Sequence, residues 1–162
     1  MPPPDHFRIP RPADHPAIDA LVTLAFGGPA EACLVRALRD EGVMEAEFVM
    51  ANDAGAIIGH LALSRLVAPA GWLALAPVAV HPDWQGRRIG SRFVAGVARL
   101  MAIKGQSVVV LGKPSFYARA GFSLPRAAAL AAPYPNDHLL ILRPGEDVPA
   151  EALIYPAAFD GL

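Results

Sequence analysis

Cysteine, long apolar runs and acidic charge over one long interval are what this sequence lacks. Cys33 is the one cysteine. An internal disulfide and a thiolate-built metal site are therefore excluded, no metal is expected, and a reducing, cytoplasmic setting is the expectation. No apolar run approaches the ~18 residues needed to cross a bilayer, so no membrane association is expected. The opening Met1-Pro2-Pro3-Pro4-Asp5-His6 lacks the basic and then apolar pattern of a secretion signal, and residues 2–5 are expected to be flexible. Charged residues are scarce as well, at 18% against 54% hydrophobic. That balance excludes an extended disordered chain. Over 162 residues it supplies enough apolar material for one ordinary domain spanning 1–162.

The missing acids carry information. Between Asp83 and Asp137 no aspartate or glutamate occurs, while Arg87, Arg88, Arg92, Arg99, Lys104, Lys113, Arg119 and Arg126 give that interval a charge of +8. The remainder holds all 15 acids and six basic residues, so a net charge of −1 conceals the asymmetry. A solvated helix face of one sign is the plain reading. The alternative is a local anion site. A nucleic-acid partner is not expected, because the segment lacks interleaved exposed aromatics.

Within that interval, Trp84-Gln85-Gly86-Arg87-Arg88-Ile89-Gly90-Ser91 lies between a strand-like apolar run and a helical stripe made by Ile89, Phe93, Val97 and Leu100. Strand, glycine-punctuated turn and helix together form a backbone cradle for phosphate. The first N–H groups of a helix have no internal acceptor, and the helix dipole favours an anion there.

The rest of the chain reads as alternating elements. Phe7–Ile9 is a short first strand. Asp14 is placed to cap a helix from about Pro16 to Phe26, and a second helix covers Ala30–Asp40, with Cys33 as a buried small residue. Strands around Phe48–Met50 and Ile57–Leu66 flank the hairpin loop Asn52–Gly55. In the next strand, Trp72–Val80, Leu73 and Leu75 have opposite parity to Val78 and Val80, with Pro77 between them. A one-residue bulge at Pro77 explains both the phase slip and the proline. After the helix come Ser107–Leu111 as a buried strand, Phe116–Ala120 as a short helix, and strands at His138–Leu142 and Leu153–Tyr155. The Ala- and Pro-rich residues 124–136 form an ordered loop or lid.

Two common phosphate motifs are absent. Gly112-Lys113-Pro114 fails as a P-loop, since Ser107 stands where its first glycine belongs and Pro114 where Ser or Thr belongs. No strand is followed by G-x-G-x-x-G. Gln85 and Gly90, preceded by Val78-Ala79-Val80-His81-Pro82, instead resemble motif A of the GCN5-related N-acetyltransferase (GNAT) superfamily, Q/R-x-x-G-x-G/A. Downstream, Phe116-Tyr117-Ala118-Arg119-Ala120-Gly121-Phe122 resembles the superfamily's F-Y-x-x-x-G-F signature. Leu111-Gly112-Lys113-Pro114 and Tyr155-Pro156-Ala157-Ala158-Phe159 are similar to its YhbS-like branch.

The resemblance implies an α/β fold with a central mixed, splayed sheet of about six to seven strands flanked by helices on both faces. It implies acetyl-CoA as co-substrate in the cleft between the fourth and fifth strands, and direct acetyl transfer to a primary amine of a small molecule or protein. Val78, Ala79 and Val80 would meet the pantetheine arm. The turn residues Gln85, Gly86, Arg87, Arg88, Ile89, Gly90 and Ser91 would hold the pyrophosphate, with Lys113 and Phe116 completing the cofactor site. Tyr117 falls where the family keeps its general acid. Its phenol is a weaker acid than a thiol by about 2 kcal/mol in water, so it is expected to act first as a hydrogen-bond donor.

The sequence departs from the family at Arg88, which replaces the motif's first glycine. A first-turn helical backbone would accept arginine, with the side chain directed away from the pyrophosphate or to another phosphate. No ionisable side chain lies on Trp72–Val80 to serve as a base; Glu45, Glu47 and His60 are candidates acting through water, though each is more simply structural. A non-catalytic acyl-CoA-binding sensor is the alternative to an enzyme. A homodimer fits the superfamily.

Overall fold

The computed structural model describes residues 7–162, so the flexibility expected of residues 2–5 concerns positions outside the described residues. Helix α1 (His15–Phe26) buries Ile18, Leu21 and Val22, and α2 (Ala30–Asp40) buries Leu34, Val35 and Leu38, each at three- and four-residue spacing. Gly27 ends α1 with φ 70°, a left-handed turn in which glycine is unhindered. The Asp14 carboxylate does not cap α1. It accepts from Arg8 Nη1 at 2.8 Å and from the Arg11 amide at 2.7 Å, and these hydrogen bonds hold its pKa well below the usual carboxylate range. Cys33 is exposed, not buried, and lies 3.1 Å from Arg36 Nη2 on the outer face of α2.

Five strands form one sheet in chain order: β1 (Met44–Ala51), β2 (Ile57–Arg65), β3 (Leu73–Val80), β4 (Val108–Leu111) and β5 (Leu139–Leu142). All pairs are antiparallel except β3 with β4. Six to seven strands were expected, and both terminal candidates fall short. Phe7–Ile9 contributes a single bridge, Arg8 to Val49, before Pro10 and Pro12 remove the next donors. Leu153–Tyr155 is not a strand either: Ala152 bridges Ala131 and Ile154 bridges Ala68, so successive positions pair with different partners.

The bulge expected at Pro77 is present. Leu61 pairs with Val78 and Leu63 with Leu75, so two steps on β2 span three on β3. Through this slip Leu73 and Leu75, together with Val78 and Val80, pack towards α3 (Ile89–Ile103), whose Phe93, Val94, Val97 and Met101 are buried. Ala74 faces α2 and Ala79 faces α1 on the opposite side. Helices thus cover both faces. The short α4 begins earlier than expected, at Pro114–Ala118, because Pro114 suits the first helical position.

Residues 124–136 are tied down on both sides. Ala127 and Leu130 are buried, Asn136 Nδ2 donates to the Leu130 carbonyl at 2.8 Å, and the Arg126 guanidinium donates to the carbonyls of Arg143 and Asp147 at 2.8 Å each. Among the described residues no helix is long and apolar enough to cross a membrane.

Candidate active site

Strands β3 and β4 pair only at Leu73 with Val108 and Ala74 with Val109. Beyond Ala74 no residue of β4 pairs with β3, so the bulged half of β3 turns one backbone edge towards open space. A cavity of about 750 Å³ occupies that divergence. Val78 and Val80 form its strand wall, and Gln85, Gly86 and Arg88 its turn. Gly90 and Ser91 line it at the start of α3, and Phe116, Tyr117 and Arg119 on the α4 side.

Local hydrogen bonds shape the turn. The Trp84 amide donates to the His81 carbonyl at 2.8 Å, and the His81 Nδ1 accepts from the Asp83 amide at 3.1 Å. Gln85 Nε2 donates to the Val80 carbonyl at 3.0 Å, which fastens the turn to the end of β3. A Cβ at Gly90 would lie 3.2 Å from Val80 Cγ2 and 3.7 Å from Phe116 Cζ, so glycine permits the helix start to press against both walls. The first bond of α3 runs from the Arg92 amide to the Arg88 carbonyl at 3.0 Å. The amides of Ile89, Gly90 and Ser91 precede it and have no acceptor within the helix.

Arg88 does not adopt the first-turn helical backbone expected of it. It has φ 60° and ψ 13° and is the one non-glycine residue with positive φ among the described residues. A left-handed backbone costs arginine roughly 1–2 kcal/mol, a cost that glycine would avoid. Arg88 is among the residues that line the cavity.

Four residues expected at the cofactor are not among those lining the cavity, and their side chains engage elsewhere or face solvent. Ala79 has the parity opposite to Val78 and Val80 and packs with Ile18 and Val22 of α1. Ile89 turns inwards to join the core beside Phe93. The Arg87 guanidinium stacks over Trp84, 4.9 Å from the ring centroid. Lys113 is exposed and precedes α4, its carbonyl accepting from the Phe116 and Tyr117 amides at 3.1 and 3.2 Å. Arg119 also lines the cavity, although it is not among the site residues expected from sequence; its place in the signature, two residues past Tyr117, is the signal that marks it.

Tyr117 is almost wholly buried, with its ring edge-on to Phe116 at 4.9 Å and to Phe122 at 5.9 Å. Burial raises its pKa to about 12, so the phenol is neutral throughout the physiological range. Gly112 makes room for it: a Cβ there would collide with Cε2 of the ring and lie 3.1 Å from Cδ2.

The base candidates are occupied elsewhere. The Glu47 carboxylate accepts from Arg39 Nε at 2.7 Å on Oε1 and from Arg39 Nη2 at 2.8 Å on Oε2, and His60 Nε2 lies 2.9 Å from the same Oε2. Burial opposes charge on Glu47, but hydrogen bonds from Arg39 and His60 outweigh it and lower the pKa to about 2. His60 is fully buried on the strand position facing Ala79, and its Nδ1 has no partner among the described residues. Glu45 is exposed, 3.6 Å from Arg65.

Residues 44–124 match the model of the acetyltransferase (GNAT) domain family. The N-acetyltransferase YhbS of Escherichia coli K12 is 36% identical over 121 residues, 72% of each chain. The structure of E. coli YhbS in complex with CoA superposes with a TM-score of 0.85 at 29% identity, covering 96% of this chain and 91% of that one. A GNAT family acetyltransferase from Brucella melitensis in complex with acetyl-CoA gives a TM-score of 0.77 at 30% identity, covering 96% and 97%.

Proposed function

This chain belongs to the GNAT acetyltransferase family, and we propose that it transfers the acetyl group of acetyl-CoA to a primary amine in the cleft between β3 and β4. The observation that carries the reading is the meeting, in one cavity, of an unpaired strand edge, an anion-binding turn and a buried phenol. Two solved relatives are complexes with CoA or acetyl-CoA, and the residues of this cavity fit such a ligand. The free edge of β3 near Val78 and Val80 would receive the amides of a pantetheine arm. The unsatisfied amides of Ile89, Gly90 and Ser91 would receive pyrophosphate oxygens, with Arg88 and Arg119 adding charge from the walls.

Acetyl-CoA supplies an activated thioester that an amine can attack directly. Tyr117 donates a hydrogen bond where negative charge develops on the departing sulfur. At a pKa of about 12, full proton transfer to a thiolate of pKa ~8.5 is uphill by about 5 kcal/mol, so stabilisation precedes transfer. No side chain of β3 is ionisable, and Glu47 and His60 are engaged with each other. The amine therefore arrives already neutral or loses its proton to water.

A steady-state assay of free thiol release with a panel of small amines and lysine peptides tests the reading. Acetyl-CoA binding without thiol release under any acceptor would instead favour a non-catalytic sensor. The same reading includes a homodimer and a cytoplasmic location, tested by sedimentation velocity and by cell fractionation; the single thiol at Cys33 supports the second.

A further inference from the structure

The C-terminal motif Tyr155-Pro156-Ala157-Ala158-Phe159 plays no part in acetyl transfer as described above. It builds a second cavity, of about 600 Å³, whose lining shares no residue with the first. The rings of Tyr134 and Tyr155 stand at 87° with centroids 5.2 Å apart, and those of Tyr155 and Phe159 at 69° and 5.2 Å. Rings set near right angles give the cavity aromatic walls of differing orientation. Phe159 is anchored in the core beside α2, while Tyr134 and Tyr155 are half-buried.

Charge distinguishes this cavity from the cleft between β3 and β4. The cleft is lined by Arg88 and Arg119; here Asp160 is the one charged side chain in the lining. Tyr134 and Asp160 line the same cavity, and burial together with the Asp160 carboxylate raises the pKa of the phenol. Aromatic rings beside a carboxylate, with no basic residue in the lining, repel anions and attract a cation.

We propose that this cavity binds the ammonium group of an organic cation, set against the half-buried rings of Tyr134 and Tyr155 and balanced by the Asp160 carboxylate. The volume exceeds that of a bare ammonium, so the remainder of the ligand lies against Ala132 and Leu153. Two sources carry such a group: a free small amine and a lysine side chain of another protein. The proposal is independent of the acetyl-transfer reading, because its readout is binding.

Choline, its uncharged isostere 3,3-dimethylbutanol and Nα-acetyl-lysine amide are titrated into the full chain while tyrosine ring protons are followed by NMR. Saturable choline binding is expected, with the isostere at least about tenfold weaker. Asp160→Asn, at an exposed position, should weaken choline about fivefold, and Tyr155→Leu by more than about tenfold. Tighter binding of the lysine amide supports a protein side chain as the source, and tighter binding of choline a free amine. Equal affinity for the isostere, unchanged choline affinity in both variants, or no saturable shift with either cation would overturn the proposal. Should Tyr155→Leu fail to fold, Asp160→Asn and the isostere decide.

Discussion

Gly112 lies so close to the Tyr117 ring that any side chain at that position would occupy the ring's space. The glycine is therefore a positional partner of the phenol, although it contributes no functional group. Its amide donates to the His138 carbonyl at 2.9 Å, so the backbone cannot readily retreat. Gly112→Ala should displace Tyr117, lower stability by about 1–3 kcal/mol and reduce thiol release as far as removal of the hydroxyl does. Thermal unfolding and the thiol assay check both parts; an alanine variant with wild-type turnover would show that the ring position is not critical.

Tyr117→Phe removes the hydroxyl and keeps the ring. Turnover should fall roughly 10²-fold while acetyl-CoA affinity stays the same, because the hydrogen bond acts on developing charge. The pH dependence separates the phenol from other groups. With its pKa raised to about 12, Tyr117 stays protonated and kcat/KM should rise with pH as the amine is freed, with no alkaline decline before about pH 11. A decline near pH 9 that Tyr117→Phe abolishes would contradict the raised pKa.

Glu47 gives the chain an acid-sensitive link between α2 and the sheet. Its folded pKa, about 2, lies below its ordinary 4.5, so the stabilisation is complete above pH ~4.5 and is lost as pH falls towards 2. The shift corresponds to about 3 kcal/mol. Urea midpoints measured between about pH 6 and about pH 2.5 should fall in both proteins and fall less in Glu47→Gln, which keeps the contribution of Asp14.

Much of the site could be read from sequence because its carriers are local. Pro77 between two phases of apolar residues marks a bulge whatever the strand's partners, and a glycine-rich turn before a helical stripe exposes amides by itself. Other features depend on residues far apart in the chain. Whether Phe7–Ile9 and Leu153–Tyr155 become strands is decided by their partners and by flanking prolines, and both yield only bridges. Ala79 sits between Val78 and Val80 in sequence but faces α1, since side-chain direction alternates along a strand. Arg87 and Arg88 are adjacent, yet one stacks on the Trp84 ring and the other is among the residues lining the cavity. The engagement of Glu47 by both Arg39 and His60 joins three elements and leaves no periodic trace in sequence.

Arg88 separates backbone strain from charge by two substitutions. Arg88→Gly relieves the left-handed conformation and removes the guanidinium, whereas Arg88→Ala removes the charge and keeps the strain. Arg88→Gly should therefore unfold at a higher denaturant concentration than Arg88→Ala, with an unfolding free energy larger by about 1 kcal/mol. Both should bind acetyl-CoA more weakly than wild type at low salt, and the difference should shrink as salt rises, because a cavity-wall cation acts through screened attraction. Calorimetric titration across a salt series measures this. Affinities equal to wild type at every salt concentration would remove Arg88 from the binding site and leave its strained backbone without a compensating contact.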